Sequence, residues 1–292
     1  MTFVGDTLDT INQLPGWVTA GSAKSAEDVA FLSGAALSHL HLVFKRSDVP
    51  QALLRQRLAL KAAEACVAHS GRAERGRDLR DSLAFLEAGD PAGPAGEIYQ
   101  SFVRATERKL SISSLTRALP HLPADQIAEF LDAGQGAPVT RAAEVLHAVL
   151  VAVPRQPFAA LLLADAALAQ ALGWSHLVPL LSMGLQRGDL NTSDGDLRLA
   201  CHRALLTSAR EVVPLANDLS RKSARLMAVS AKLRAKGAAE AVTLLLSKDA
   251  VAPKDLVSLN STRSARRFCD RLVELGVARE LTGRDTFRLY GV

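Results

Sequence analysis

Val277-Ala-Arg-Glu-Leu-Thr-Gly-Arg-Asp-Thr-Phe-Arg-Leu-Tyr290, together with Arg263-Ser-Ala-Arg-Arg-Phe-Cys-Asp-Arg-Leu-Val-Glu-Leu275 before it, decides how this chain is read. The second stretch is a helix, with Phe268, Leu272 and Leu275 at i, i+4, i+7 on its buried side. Gly276 is placed to end it in a left-handed cap, and Asn260-Ser-Thr262 supplies polar residues that cap its start. The first stretch is a hairpin. Val277 and Leu281 are expected to face inward with Phe287 and Leu289, around the turn Thr282-Gly-Arg-Asp285. Arg288 then points outward and Arg284 sits at the tip. Arg279 shares the inward parity, so it is expected to snorkel at the edge and is not counted as a contact. Upstream lie an apolar helix, Ala238–Ser247, and a short helix, Lys254–Ser258, opened by Pro253. Three helices followed by a hairpin is the order of a winged helix-turn-helix.

Charge agrees with that order. Residues 219–292 hold 15 Lys+Arg against 7 Asp+Glu, a net of +8, whereas the other 218 residues carry a net of −3. Positive charge gathered in one segment is the footprint of a polyanionic partner, and duplex DNA is the partner expected. Arg263, Ser264, Arg266 and Arg267 occupy the first turns of the third helix, the part that enters the major groove in helix-turn-helix proteins. Arginine there reads guanine edges, while Thr262 and Lys254 are expected on phosphates. Arg284 and Arg288 act from the wing, and Lys232, Arg234 and Lys236 add nonspecific attraction. A bland reading stands beside this one. Basic helical faces are commonly just solvated, Asp270 and Glu274 offer local partners, and small winged modules also dock proteins.

The rest of the chain reads as an ordinary globular protein, 48% apolar and 22% charged, with aromatics scarce at 4%. Three cysteines, Cys66, Cys201 and Cys269, lie far apart without a CxxC or Cys/His cluster. They are expected to be buried small hydrophobes, with neither a disulfide nor a zinc site. The N-terminus lacks a basic region before an apolar run, and no uncharged apolar stretch approaches membrane-spanning length. A cytoplasmic protein without a membrane partner is expected.

Residues 1–25 read as an irregular lead-in, 26–218 as an all-helical domain, and 219–292 as a basic helix plus the winged module. The spacing predicts helices from Ala26 to about Phe44, Gln51–His69, Gly76–Ala88, Gly96–Lys109, Ser113–Ala118, Pro123–Ala133, Arg141–Val153, Pro157–Leu172, His176–Gln186, Asp196–Ser208 and Val213–Lys236. Arg55, Arg57, Lys61 and Glu64 form the polar face of the second. Gly89-Asp-Pro-Ala-Gly-Pro-Ala-Gly96 reads as a structured surface turn, and Lys232-Leu-Arg-Ala-Lys-Gly237 as the hinge between domains. No fixed-period repeat is found.

A search for chemistry yields little. His39 and His41, two apart on a helix, are expected to be one buried and one exposed. Glu144-x-x-His147 has a spacing used in helical metal sites, yet no second Glu-x-x-His exists. Asp165, inside the apolar run Phe158–Leu172, either pairs with a base such as Arg141 or Arg155 or lies on the wet side. No P-loop, GxGxxG, GxSxG or HExxH motif occurs, so no catalytic residue, metal or cofactor is assigned.

Arg55-Gln-Arg-Leu-Ala-Leu-Lys-Ala-Ala63, the loop 89–96, Leu163-Ala-Asp-Ala-Ala-Leu-Ala-Gln-Ala-Leu-Gly-Trp174, Lys232–Gly237 and the tail Arg263–Tyr290 resemble the bacterial family catalogued as domain of unknown function 1403. The resemblance runs from about Val29 to Val292 and implies shared architecture rather than chemistry. The tail from Ser264 to Arg284 is also similar to the winged end of many Fic-type proteins. Active Fic proteins carry His-Pro-Phe-x-Asp-Gly-Asn-Gly-Arg, and nothing like it occurs here, so none of their catalytic residues is carried over.

The resulting expectation is a mainly α protein that acts as a regulator and contacts duplex DNA through a C-terminal winged helix, with no catalytic motif found. Its helical domain would serve a homodimer or a protein partner. The competing expectations are a protein-interaction adaptor and a catalytically degenerate Fic-like protein with the wing as a docking unit.

Overall fold

The computed structural model describes residues 13–20, 25–86, 89–192, 194–230, 232–233 and 236–292. It is mainly helical. In chain order the helices are α1 Gly16–Ala20, α2 Ala26–Val43, α3 Gln51–His69, α4 Gly76–Ala84, α5 Gly93–Glu107, α6 Ile112–Ala118 and α7 Ala124–Ala133. They continue as α8 Pro138–Ala152, α9 Pro157–Ala171, α10 Leu180–Gly184, α11 Asp194–Ser230, α12 Ala238–Leu245 and α13 Thr262–Glu274. Two strands, β1 Arg279–Glu280 and β2 Tyr290–Gly291, pair antiparallel with Glu280 opposite Tyr290. Val251 bridges Tyr290 on the other side, so three short segments share one ladder. Among the described residues no helix is long and apolar enough to cross a membrane.

Helix α9 organises the core. Every residue from Ala159 to Ala169 is buried, which a helix tolerates only when neighbours surround it. Helices α8, α10, α7 and α5 provide that jacket. Helix α3 packs on α5 and α10, and α11 lies along α2, α10 and α8. One contiguous apolar cluster runs from Val18 in α1 to Val292.

Several expectations change here. Residues Asp194–Ser230 form a single helix with Pro214 inside it, where two were expected. A proline removes one main-chain bond, but burial of Val212, Val213, Ala216 and Leu219 against α2 and α10 outweighs that loss. The expected helix His176–Gln186 shrinks to Leu180–Gly184, because His176 bridges Lys109 in an antiparallel pair. Helix α5 begins three residues early, at Gly93, since Pro94 is tolerated in a first turn. Within the expected irregular lead-in, Gly16–Ala20 is helical, with Trp17 stacked on Phe31 at 5.7 Å. The remainder of that lead-in up to residue 12, and residues 21–24, lie outside the described residues.

The polar face of α3 is less a solvated face than a set of clasps. Arg55 Nε donates to Thr106 O at 3.0 Å, Lys61 meets Glu211 at 2.6 Å, and Arg57 turns toward the C-terminal segment. All three cysteines are buried, and burial pushes their thiols up, Cys201 and Cys269 to about 12. His39 and His41 are both half-buried, contrary to the one-in, one-out expectation. His41 Nδ1 accepts from Trp174 Nε1 at 3.0 Å, and that indole packs edge-on against Phe44.

Candidate nucleic-acid interface

Helix α13 is positioned by signals local to its sequence. Asn260 adopts a left-handed φ of 63°, a conformation asparagine tolerates, and Ser261 then accepts from Ser264 N at 3.1 Å as the N-cap. At the other end Gly276, at φ 66°, lets Val277 N reach Leu272 O at 3.0 Å and Gly276 N reach Val273 O at 2.9 Å. That pair of bonds is a Schellman closure. The buried stripe is Ala265, Phe268, Cys269 and Leu272, packed on the turns Pro253–Asp255 and Val257–Leu259 and on β1. Leu275, expected inside, is partly exposed because the chain reverses at Gly276 before it reaches the core.

Opposite that stripe, Thr262, Arg263, Ser264, Arg266 and Arg267 are all exposed. Among the described residues, Arg263, Arg266 and Arg267 make no ion pair, whereas Arg271 is held by Glu274 at 2.9 Å. Ser264 is tied into the cap, its hydroxyl accepting from Ser261 Oγ at 2.9 Å. Lys254 is exposed on the turn Pro253–Asp255 and is likewise without an ion pair among the described residues. Lys232 and Lys236 are exposed in the non-helical joint between α11 and α12. Arg234 lies outside the described residues.

The hairpin behaves differently from its alternation pattern. Pairing runs one step past the strands, Leu281 N donating to Leu289 O at 2.8 Å, and Val277 and Leu289 are buried as expected, but the alternation fails beyond that pair. Glu280 instead gathers Thr282 N at 2.8 Å and Gly283 N at 2.7 Å. Phe287, expected inward with Leu289, is 69% exposed at a left-handed φ of 55°, and it meets Phe85 edge-on at 5.6 Å. Arg284 pairs with Asp81 of α4 at 2.7 Å. Arg288 lies 3.7 Å from both Asp270 and Asp285. The loop therefore leans on α4 through an ion pair and an aromatic contact. Tyr290 donates its hydroxyl to Asp270 at 2.8 Å, and burial followed by that bond raises it to about 12. Arg279, set aside in the sequence reading, is exposed and lines a small hollow with Lys222 and Arg225.

Between α13 and this loop lies a cleft of about 570 Å³. It is lined by Lys254, Thr262 and Arg266 from α13 and the turn before it, and by Phe85, Phe287 and Arg288 from the end of α4 and the hairpin loop. Beneath it the whole segment is anchored to the helical body. Asp249, with a side chain 2% exposed, is clasped by Arg57 of α3 and Arg80 of α4. Arg57 also donates to Val292 O at 2.9 Å, and Lys248 reaches Glu107 at 2.7 Å. Position along the sequence offers no hint of these partners, which come from helices some 140 to 235 residues away.

Elsewhere the chemistry is structural. Asp165 neither pairs with a base nor faces water: it is fully buried and accepts from Leu181 N at 2.7 Å, Ser182 N at 3.0 Å and Ser182 Oγ at 2.6 Å. It thus caps the start of α10. Burial pushes its carboxyl up to about 7, with those bonds opposing the rise. Glu144 and His147 line a separate hollow with Arg198, and Glu144 accepts from Gln135 N at 2.7 Å. Among the described residues no group of three or more His, Cys, Asp or Glu is placed to hold a metal ion.

The class is thus a mainly helical protein with a small C-terminal hairpin segment. The chain belongs to the family described as Protein of unknown function (DUF1403), which matches residues 4–292. No curated protein matches it.

Proposed function

We propose that the protein binds duplex DNA, as a regulator, through the exposed face of α13. The observation that carries this is one helix face on which Arg263, Arg266 and Arg267 are exposed and unneutralised among the described residues, back to back with a fully packed stripe. Clustered cations without partners are what a phosphate backbone rewards, by counterion release. The segment order supports a winged helix-turn-helix reading: α12, the segment at Val251, two short turns, α13, then β1 and β2. In that reading α13 lies in the major groove, Thr262 and Lys254 sit on flanking phosphates, and Lys232 and Lys236 add attraction from the joint. Arg284 and Arg288 are already engaged by Asp81, Asp270 and Asp285, so we assign them to holding the hairpin loop rather than to first contact. The helical body is the part left for dimerisation or partner docking.

Charge reversal tests it. A protein carrying Arg263→Glu, Arg266→Glu and Arg267→Glu should retain its helical content, since all three sites are exposed, and lose duplex binding by about 100-fold or more. Unchanged binding would remove α13 as the DNA-contacting surface.

A further inference from the structure

The geometry points to a binding site for a nucleoside phosphate in the cleft between α13 and the hairpin loop. The inference builds on reading this surface as one that faces nucleic acid; it shares Lys254, Thr262 and Arg266 with that reading and adds Phe85 and Phe287. Its volume, about 570 Å³, falls in the range of pockets that take small organic ligands. Its lining combines two chemistries. From α13 and the turn before it, Lys254 and Arg266 carry charges with no ion pair among the described residues, beside Thr262 in the first turn of α13. The carboxylates nearby do not cancel them. Asp270 accepts from Tyr290 and faces Arg288, and Asp285 also faces Arg288.

From the hairpin loop, Phe287 is held at a left-handed φ of 55°, which a bulky residue adopts only under constraint. Phe85 touches its ring at 81°, so the contact is edge-on, and the side chain stays 69% exposed. A strained, solvent-facing ring lining the same cleft as two unpaired cations suits a ligand with a planar base at one end and a phosphate at the other. The base packs on Phe287, and the phosphate meets Lys254, Arg266 and Thr262. An inorganic anion leaves the aromatic wall unused, and a neutral aromatic leaves the cations unused. The same chemistry comes from two sources, a free nucleotide or an unpaired nucleotide of a DNA strand.

Isothermal titration of the full chain with AMP, adenosine, inorganic phosphate and an octathymidylate single strand tests the site. Either AMP or the single strand should bind at least about tenfold more tightly than both adenosine and phosphate. AMP binding identifies the free nucleotide as the source; binding of the strand without AMP identifies the unpaired nucleotide. Phe287→Asn, which suits the left-handed backbone but removes the ring, and Arg266→Gln should each weaken that binding about tenfold, while Phe287→Tyr should restore it. Arg263→Glu with Arg267→Glu, outside the cleft, should abolish duplex binding yet leave the nucleotide affinity within about threefold. No binding of AMP or the strand, or binding indifferent to Phe287→Asn, would overturn the site. Loss of duplex binding in the Arg263/Arg267 pair alone would still uphold the DNA reading.

Discussion

The Arg284 guanidinium in the hairpin loop lies 2.7 Å from the carboxylate of Asp81 on α4. With the Phe287–Phe85 contact beside it, this pair fixes the loop against the helical body rather than leaving it extended as a free wing. Exposed ion pairs of this kind contribute about 0–1 kcal/mol, and Arg284 is half exposed, with a side chain at 51%. Asp81→Asn should therefore shift the urea midpoint only slightly. It should nevertheless speed amide hydrogen exchange across 281–288. Identical exchange in wild type and variant would show that the pair does not hold the loop.

The Asp249 cluster should behave in the opposite way. Its carboxylate is almost fully buried between Arg57 and Arg80, so its removal strands two half-buried guanidiniums. Asp249→Ala is expected to cost about 3–5 kcal/mol in chemical denaturation. A cost below about 1 kcal/mol would mean that water already relieves those arginines.

Asp165 and Asp48 set opposing pH dependences. Burial lifts the Asp165 carboxyl to about 7, above its unfolded value, so its contribution is fully present below the unfolded pKa and is lost as pH rises toward 7. The hydrogen bond from Arg46 holds Asp48 down to about 2, so its contribution is present above the unfolded pKa and is lost as pH falls. Between about pH 4 and 7, the slope of stability against pH should be more negative in the wild type than in Asp165→Asn, where the lowered pKa values of His69, His176 and His202 act without it. Equal slopes in the two proteins would show that Asp165 does not titrate in that window.

Gly237 joins α11 to the C-terminal segment at φ 86°, and a Cβ built there would stand 2.1 Å from Ser258 O. Ser258 Oγ also donates to Gly237 O at 2.9 Å. This joint is tightly packed backbone. Gly237→Ala should lower stability by more than about 1 kcal/mol in thermal unfolding, through both the close contact and the left-handed strain. An unchanged midpoint would mean the joint shifts freely.

What the sequence made legible followed local rules. Helix α3 runs Gln51–His69, as read from Pro50 before it and Ser70-Gly71 after it. Ser261 and Gly276 bound α13 through caps written within a few residues. What escaped depends on distant partners. Pro214 looked like a break because the burial that carries α11 through it comes from α2 and α10. Leu177, Val178, Leu180 and Leu181 imitate a helix face, but the bridge at His176 and the cap from Asp165 confine the helix to Leu180–Gly184. In the candidate site, the exposed face of α13 was legible from amphipathic spacing alone. The cleft was not, since Phe85 and Asp81 lie some 200 residues before Phe287 and Arg284 and alternation gave no reason to turn Phe287 outward.

The most direct test of DNA binding by α13 is a fluorescence-anisotropy titration of the full chain against random and selected duplexes at two salt concentrations. With about four to six phosphates neutralised, log affinity should fall against log salt with a slope of about −4 to −5, and one selected sequence should bind more tightly than the random pool. No binding at the lower salt would contradict the account and leave the basic face of α13 as a solvated or protein-docking surface.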